Sequence, residues 1–238
     1  MSFERNMLIS TLKLTTNGSA LIKDVNTEAK LPSTVCMKLL QKLQNENLIK
    51  LNNNTIEIEN QNRIKLAIKA TTLGADIQHI STLMHWQEFE ELTATALKYN
   101  GYSIHNNIRF KHENRRYEID VVGCRKPIVI CIDCKHWAHT ITTSALQKIV
   151  EQQTQRTKAL ANTLPNTKLN LECIQWEKAK FIPTVLSLMP NAYKFYYQVP
   201  IVPIFSLQDF INQLPLHTEN ITTYPKNFTK TNTQQSNV

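Results

Sequence analysis

Residues 117–135 of the chain read YEIDVVGCRKPIVICIDCK, and this stretch decides the fold. Its first part alternates apolar and polar residues, which predicts a β-strand with one face in the core. The second part, from Ile128 onwards, is almost continuously apolar and predicts a central strand buried on both faces. Such a strand should not carry Asp133 and Lys135 without a reason. Because successive side chains of a strand alternate, a spacing of two places both residues on one face, as neighbours in a common site.

Helix and strand patterns alternate on both sides of this stretch. Their order predicts an α/β domain over residues 85–217, with a mixed sheet flanked by helices. The predicted elements are helices over 85–100, 143–160 and from 207, a hairpin over 103–122, and strands over 128–135, 181–188 and 199–205. Gly101 suits the end of the first helix, because glycine adopts the left-handed conformation of a C-cap without strain.

The first helix of this domain carries a carboxylate on its apolar face. At 100° per residue, that face holds Trp86, Phe89, Thr93, Ala96 and Leu97. Glu90 falls on the same face, whereas Glu88 and Glu91 do not. A carboxylate among core-facing residues is costly unless a partner compensates it. Two accounts follow: Glu90 snorkels at the edge of the stripe, or it meets a metal ion or a lysine.

Residues 1–74 predict helices and one short hairpin in the order of a winged helix-turn-helix domain. Its third helix is expected to start at Pro32 or Ser33, since a proline at the first helical position loses no needed hydrogen bond. Two short strands around Asn52–Asn54 predict a wing. In such modules the third helix enters the major groove of DNA, and here its polar side offers Lys38 and Lys42 as candidate contacts. A winged helix that binds protein is the alternative.

The rest of the chain predicts a linker over residues 75–84 and a disordered tail over residues 218–238. The tail is rich in Asn, Thr, Gln and Lys and has little to bury. Across the whole chain, 27 Lys and Arg stand against 19 Asp and Glu, which gives a net charge of +8. This charge fits a protein that meets a polyanion, although a basic protein without such a partner would have it too.

Several classes of protein are disfavoured. No segment approaches the roughly 18 unbroken apolar residues of a membrane span, and residues 1–10 show no apolar core of a secretory signal. Five cysteines in 238 residues do not resemble a disulfide framework, so we expect a cytoplasmic protein. The four glycines stand scattered at positions 18, 74, 101 and 123. A Gly-rich phosphate-binding loop is therefore missing, and no nucleotide cofactor is expected.

The pair Cys131-x-x-Cys134, with His136 and His139, would suit zinc by residue type. Residues three apart in a strand point to opposite faces, however, so the two sulfur atoms should diverge. A packed cysteine is the ordinary account.

The polar residues of the second domain together resemble the PD-(D/E)xK nuclease superfamily. The pattern consists of a helix Glu90, a strand Asp120 and the triplet Asp133-Cys134-Lys135. The flanks Trp86-x-x-Phe89-Glu90, Asn100-Gly101-Tyr102 and Lys135-His136-Trp137 are most similar to Mrr-like restriction endonucleases and their archaeal relatives. Archaeal Holliday junction resolvases share the core pattern, and the resemblance covers about residues 85–210. Ile119 stands where the motif has proline, and Asp133 replaces the commoner glutamate, which shortens the reach to a metal but keeps the charge.

The resemblance implies a metal-dependent DNA endonuclease. Asp120, Asp133 and the backbone carbonyl of Cys134 would hold Mg²⁺, or Mn²⁺, because hard cations take carboxylates and waters. Lys135 would orient or help deprotonate the attacking water and offset charge on the phosphate. Glu90 would bind a second ion or a water, or orient Lys135.

The resemblance also directs attention to Gln152 and Arg156, which stand one turn apart on the following helix. Related nucleases often place such residues towards the site or the phosphate backbone, but a solvated polar face is the alternative. DNA is the expected partner because of the winged helix and the positive charge, and a homodimer would suit the cutting of two strands. Two other functions stay open: a DNA-binding regulator with a non-catalytic second domain, and an RNA nuclease.

Overall fold

The computed structural model describes residues 3–135, 141–165, 168–188 and 190–228. It divides into two compact units, Met1–Leu92 and Thr93–Val238. The sequence instead predicted a boundary at residues 75–84. That segment holds a helix, α5 (Ile77–Thr82), in which Ile80 is fully buried and Asp76 caps the start by accepting from the His79 N–H. A short helix with one deeply buried apolar residue has too weak a sequence pattern to be distinguished from a linker.

The first unit is mostly helical and carries one small sheet. Its elements before α5 are α1 (Phe3–Leu14), β1 (Ser19–Leu21), α2 (Ile22–Ala29), α3 (Ser33–Asn45), β2 (Lys50–Asn52), β3 (Thr55–Glu57) and α4 (Asn60–Thr72). The predicted start of α3 is confirmed, since Pro32 occupies its N-cap position. Both predicted hairpin strands are present as well. The strand β1 was not predicted, because Ser19–Leu21 becomes extended only by pairing with β3.

The core of the first unit joins helices that are distant in the sequence. Fully buried side chains come from α1, α2, α3, β3 and α4, and include Met7, Leu8, Leu12, Val25, Leu40, Leu43, Ile56 and Leu66. The three strands lie in the order β1-β3-β2, and both pairings are antiparallel. The apolar spacing along each helix therefore explains which face it buries.

The second unit is a mixed α/β domain around a seven-stranded sheet. The strands are β4 (Ser103–His112), β5 (Arg115–Arg125), β6 (Ile128–Lys135), β7 (Lys178–Ser187), β8 (Phe195–Tyr196), β9 (Val199–Pro203) and β10 (Tyr224–Asn227). They lie in the order β4-β5-β6-β7-β9-β8, and β10 pairs with the first half of β7. The strands β6, β7 and β9 are parallel, whereas β4 and β5 form an antiparallel hairpin. The sequence predicted this class of fold, and its apolar central strand β6 is buried from Ile128 to Cys134.

Three helices accompany this sheet: α6 (Trp86–Tyr99), which spans the division between the units, α7 (Thr143–Thr163) and α8 (Leu207–His217). The predicted apolar face of α6 is right for Phe89, Thr93 and Leu97, which are fully buried, but wrong for Trp86, which is 53% exposed. Side chains of a helix lean towards its N-terminus. Because Trp86 is the first residue of α6, its side chain projects past the start of the helix.

The predicted disordered tail is wrong for residues 218–228. The strand β10 pairs antiparallel with β7, and the Phe228 N–H donates to the Glu177 carbonyl. Phe228 is 7% exposed and packs in the core with Tyr224. Two aromatic anchors thus order a segment whose composition is otherwise polar. Residues 229–238 lie outside the described residues. Among those described, no helix has the length and apolar character needed to cross a bilayer.

Candidate active site

The carboxylate of Asp133 lies near the end of β6 and is 2% exposed. Two cations contact it: Nζ of Lys135 lies 2.9 Å away, and Nη1 of Arg156 donates to Oδ1 at 2.7 Å. The first contact confirms that Asp133 and Lys135 share one face of β6. A buried carboxylate is costly without such partners, so these polar residues form an organised cluster in an otherwise apolar strand.

Asp120 on β5 lies beside the same end of β6. Its Oδ2 atom accepts a hydrogen bond from the backbone N–H of Cys134 at 2.7 Å. Within a strand, the N–H and the C=O of one residue point towards the same neighbouring strand. The Cys134 carbonyl is therefore directed towards the Asp120 side as well, and both residues offer oxygen atoms there.

The charges around Asp120 fit a cation site. Burial raises the pKa of the Asp120 carboxyl above its usual value, and the nearby Asp133 carboxylate raises that pKa further. The Cys134 N–H, Lys135 and Arg156 act in the opposite direction without cancelling the rise. Two carboxylates and a carbonyl are the oxygen donors that Mg²⁺ and Mn²⁺ take. The residues present therefore fit a hard divalent cation.

The raised pKa of Asp120 gives a stability prediction. A group whose pKa is higher in the folded state stabilises the fold below its unfolded pKa, and this contribution is lost as the pH rises through the folded pKa. At pH 7 without divalent metal, we therefore expect Asp120→Asn to unfold at a higher temperature than the wild type. The amide keeps an oxygen acceptor for the Cys134 N–H.

The difference between the two melting temperatures should shrink as the pH approaches 4, where the wild-type carboxyl is increasingly protonated. Thermal unfolding from pH 4 to pH 8 in EDTA checks this prediction. Adding Mg²⁺ at pH 7 should stabilise the wild type more than Asp120→Asn. A variant that melts below the wild type at every pH would contradict it.

The helix α7 supplies Arg156 and is anchored to β6 by a neighbouring glutamine. Gln153 is fully buried, and its Nε2 atom donates to the Cys131 carbonyl at 2.7 Å. Gln152 and Arg156 line one groove, in keeping with their predicted spacing of one turn. Gln153 was not predicted as a site residue. Its signal in the sequence was its place on the same helix face as the apolar residues Leu146, Val150 and Leu160.

A strongly basic groove of about 690 Å³ lies between the β4–β5 hairpin and α7. Its lining consists of Arg109, Phe110, Lys111, Arg115, Arg116, Tyr117, Glu118, Gln152, Gln155 and Arg156. Five of these side chains are cations and one is a carboxylate. Arg156 belongs both to the groove and to the Asp133 cluster, so the groove leads to the carboxylates.

The cations of this hairpin were not predicted as site residues. The sequence predicted only that residues 103–122 form a hairpin. The hairpin closes at Glu113 and Asn114, which both have positive φ, of 48° and 62°, as the favoured two-residue turn requires. This turn sets Lys111 opposite Arg116 and His112 opposite Arg115. Five basic residues within eight positions were the available signal.

The sequence predicted that the sulfur atoms of Cys131 and Cys134 point to opposite faces of the strand, which disfavours a shared zinc ion. The structure shows this divergence. The Cys134 thiol lies 3.9 Å from Oγ1 of Thr93 on α6. Burial raises the pKa of the Cys131 thiol, and Thr157 on α7 acts in the opposite direction, so this thiol faces α7. The residues His136, Trp137 and His139, which entered the sequence argument, lie outside the described residues.

The other predicted site residues belong to the first unit. Glu90 is 5% exposed, so the structure places it on the buried face of α6; its part in the chemistry stays a prediction. Lys38 and Lys42 are exposed on α3. Nζ of Lys42 lies 3.0 Å from Oε1 of Glu4, which leaves Lys38 the less engaged of the two candidate DNA contacts.

Comparisons with known proteins bear on the second unit. Residues 85–199 match the family described as NERD, the nuclease-related domain. An uncharacterized protein from Archaeoglobus fulgidus is 31% identical over 132 residues, which cover 55% of this chain and 92% of that protein.

Two solved structures are also similar. A protein from Vibrio cholerae is 12% identical with a TM-score of 0.41, over 91% of this chain and 52% of that one. Can2 from Sulfobacillus thermosulfidooxidans, solved in complex with cyclic tetra-adenylate, is 14% identical with a TM-score of 0.35, over 90% of this chain and 50% of that one. The chain thus spans about half the length of these two proteins.

Proposed function

The chain belongs to the nuclease-related domain family, which its residues 85–199 match, and from this premise we propose that it is a metal-dependent nuclease. Asp120, Asp133 and the Cys134 carbonyl hold Mg²⁺ or Mn²⁺, and Lys135 serves the chemistry. The observation that carries the proposal is the Asp133 carboxylate, 2% exposed and contacted by Lys135 at the end of an apolar strand. A strand that only builds the core gains nothing from this cluster.

Phosphodiester hydrolysis needs a nucleophilic water and stabilisation of the charge that develops on the phosphate. A bound divalent cation supplies a water of lowered pKa and polarises the phosphoryl oxygen. Asp120 and Asp133 offer the carboxylate oxygens that hold the cation. The Lys135 side chain is 28% exposed, so its ammonium can turn from Asp133 to the phosphate or the attacking water. Arg156 keeps its hydrogen bond to Asp133 meanwhile and holds that carboxylate in place.

Nucleic acid is the substrate class that the basic groove favours. Four of its cations come from the β4–β5 hairpin, and the fifth, Arg156, joins the groove to the Asp133 cluster. Phosphate contacts by lysine and arginine supply most of the affinity for a nucleic acid backbone. The resemblance of the flanking residues to Mrr-like endonucleases supports DNA. A net charge of +8 agrees with a polyanionic partner.

The first unit adds support for DNA over RNA. Its element order and its β1-β3-β2 sheet suit a winged helix domain, in which α3 is the recognition helix. Exposed Ser33, Thr34, Lys38 and Gln41 lie on α3, and β2 and β3 form the wing. We therefore assign recognition of duplex DNA to this unit, and both the phosphate contacts of the groove and cleavage to the second.

A cleavage assay tests the proposal. The purified chain is incubated with duplex, single-stranded, flapped and four-way-junction DNA and with RNA, in Mg²⁺, Mn²⁺ or EDTA. We expect cleavage in Mg²⁺ or Mn²⁺, and none in EDTA or with Asp120→Ala or Lys135→Ala. If the wild type cleaves no substrate with either metal, the nuclease proposal fails, and duplex binding without cleavage would favour a DNA-binding regulator. If cleavage persists in both variants, the assignment of Asp120 and Lys135 to the active site is wrong.

The groove makes a separate prediction about affinity. We expect Arg115→Ala combined with Arg116→Ala to weaken binding of nucleic acid and to reduce its dependence on salt. Each lost phosphate contact lowers the slope of log Kd against log salt by about 1, so the double variant should lose about 2. Fluorescence anisotropy from 50 to 300 mM KCl, with catalysis blocked by Ca²⁺ in place of Mg²⁺, measures the slope.

Lys126→Ala is the matched control for this measurement. Lys126 is an exposed cation at the β5–β6 turn, at the opposite end of β5 from the groove. Its loss lowers the net charge without removing a groove contact, so the slope should change little. Equal slopes for the wild type and the double variant would remove the groove from the proposed binding surface.

A further inference from the structure

A second polar cluster lies in the second unit, formed by residues that the proposed catalysis does not use. His105 comes from β4, Cys124 from β5, and Glu172 and Cys173 from the 3₁₀ turn Glu172–Gln175. One ligand atom from each of His105, Cys124 and Glu172 lies within 4.8 Å of the other two. Cys173 lies beside Cys124 and raises the pKa of its thiol, but the Cys173 sulfur is not among the three mutually close atoms.

The fold explains why these four residues meet. The hairpin register pairs Ser103 with Cys124 and His105 with Val122, so His105 and Cys124 are diagonal neighbours on one face of the sheet. The 3₁₀ turn packs against β5 and presents two consecutive residues to that position. Three separate chain segments thus converge on one point.

Burial divides the cluster into an inner and an outer half. Cys124 is 3% exposed and Cys173 is fully buried. His105 and Glu172 are partly exposed, and Nε2 of His105 lies 2.8 Å from Oε2 of Glu172. The donors are therefore the Cys124 thiol from the core and an imidazole and a carboxylate from the surface, with a route for an ion from solvent.

We propose that His105, Cys124 and Glu172 bind one Zn²⁺ ion, with a water molecule in the fourth position. One sulfur, one nitrogen and one oxygen atom from the protein form a ligand set of the kind that zinc takes in tetrahedral sites. Thiolate and imidazole ligands select zinc over Mg²⁺, which prefers oxygen alone. The site therefore differs in metal preference from the carboxylate pair at Asp120 and Asp133.

Zinc binding changes the chemistry of the inner half. Without a cation, contact with Cys173 and burial raise the pKa of the Cys124 thiol far above its usual range. A coordinating thiol is deprotonated outright by zinc, so loading the site releases the Cys124 proton into solvent. The ion ties the 3₁₀ turn after α7 to the β4–β5 hairpin.

Metal analysis of the purified chain of 238 residues tests this inference. After expression in zinc-supplemented medium and purification without chelator or metal-affinity resin, we expect one equivalent of zinc per chain. His105→Ala, Glu172→Ala and Cys124→Ser should each lose it, whereas Cys36→Ser, a change at another buried thiol, should keep it. Because His105 and Glu172 are partly exposed, their variants should fold even if Cys124→Ser does not.

Cobalt substitution adds a readout that reports the ligands directly. Co²⁺ in this site should show a thiolate-to-metal charge-transfer band, which disappears in Cys124→Ser and persists in Asp120→Ala. A wild type that takes up no zinc under reducing conditions would overturn the inference. So would zinc retained in all three variants, or a Cys124–Cys173 disulfide found by mass spectrometry in place of the metal. None of these readouts requires cleavage. Their outcome therefore does not depend on whether the nuclease proposal is correct.

Discussion

We expect Lys135→Met to slow metal-dependent cleavage by about 10²–10³-fold while leaving nucleic acid affinity almost unchanged. The ammonium group lies 2.9 Å from the Asp133 carboxylate and is the cation of the cluster that can reach a phosphate held at the proposed metal. Its removal takes away charge that stabilises the transition state. Affinity depends mainly on the hairpin cations, which this substitution leaves in place.

Two further variants separate a chemical role of Lys135 from a structural one. Lys135→Arg keeps a cation beside Asp133 and should restore the melting temperature of Lys135→Met. It should not restore the cleavage rate, because a guanidinium has a different reach and is not deprotonated in proteins. Lys126→Met, in the exposed turn that precedes β6, is the matched control and should cleave as the wild type does.

Single-turnover cleavage in Mg²⁺, with the chain in excess over a labelled duplex, measures the step that Lys135 serves. Anisotropy in Ca²⁺ measures binding separately. Cleavage by Lys135→Met at the wild-type rate would contradict the role assigned here. If Lys135→Arg is fully active, the role of Lys135 is only that of a counter-ion to the Asp133 carboxylate.

The part of the site that the sequence predicted is the part set by local geometry. Asp133 and Lys135 stand two residues apart in a strand, and a period of two puts them on one face whatever surrounds them. Their partner Arg156 is 23 residues away from Asp133, and only the resemblance to known nucleases pointed to it. Contacts between segments depend on how the helix packs on the sheet. The periodic spacing of apolar residues does not predict that packing.

The same limit explains what the sequence missed. The hairpin cations become a groove only because α7 lies beside β4 and β5, and the polar turn between them gave no sign of that helix. His105 and Cys173 come from segments 68 residues apart, so their meeting at Cys124 was not visible either. Apolar patterns predicted the elements of the sheet, whereas clusters of polar residues required the tertiary fold.

Glu88 shows this limit within a single helix. Helical periodicity placed Glu88 off the apolar face of α6, yet it is 5% exposed. Its Oε2 atom accepts from the His85 N–H at 2.8 Å, so Glu88 caps the start of the helix. Its Oε1 atom accepts from Nε of Arg63 on α4, also at 2.8 Å. A partner 25 residues away thus allows a carboxylate to be buried where the apolar stripe ends.

Arg63 joins this carboxylate to the ends of two helices. It is 2% exposed, and all three guanidinium nitrogens donate. Nη1 reaches the Leu12 carbonyl at 3.1 Å and Oγ1 of Thr15 at 2.8 Å, and Nη2 reaches the Leu83 carbonyl at 2.8 Å. Carbonyls at helix C-termini lack partners within their own helix, so the guanidinium satisfies three segments of the first unit at once.

We therefore expect Arg63→Met to lower the free energy of unfolding of the first unit by about 3–5 kcal/mol. The methionine fills much of the space but leaves Glu88 buried without its cation and the Leu83 carbonyl without this donor. The Leu12 carbonyl keeps only the longer hydrogen bond from Oγ1 of Thr16, at 3.3 Å. Hydrogen exchange measured by mass spectrometry on peptides from residues 3–92 reports the loss in this unit. Lys65→Met, at an exposed position of the same helix, should change stability by no more than about 0.5 kcal/mol.

The double variant Arg63→Met with Glu88→Gln decides whether the ion pair is the cause. If the unpaired carboxylate dominates the loss, its neutralisation should recover part of the stability, and the two single effects will not add. Glutamine keeps an oxygen that can accept from the His85 N–H. Strict additivity of the two substitutions would instead assign the loss to the carbonyls of Leu12 and Leu83, with Glu88 acting only as the cap of α6.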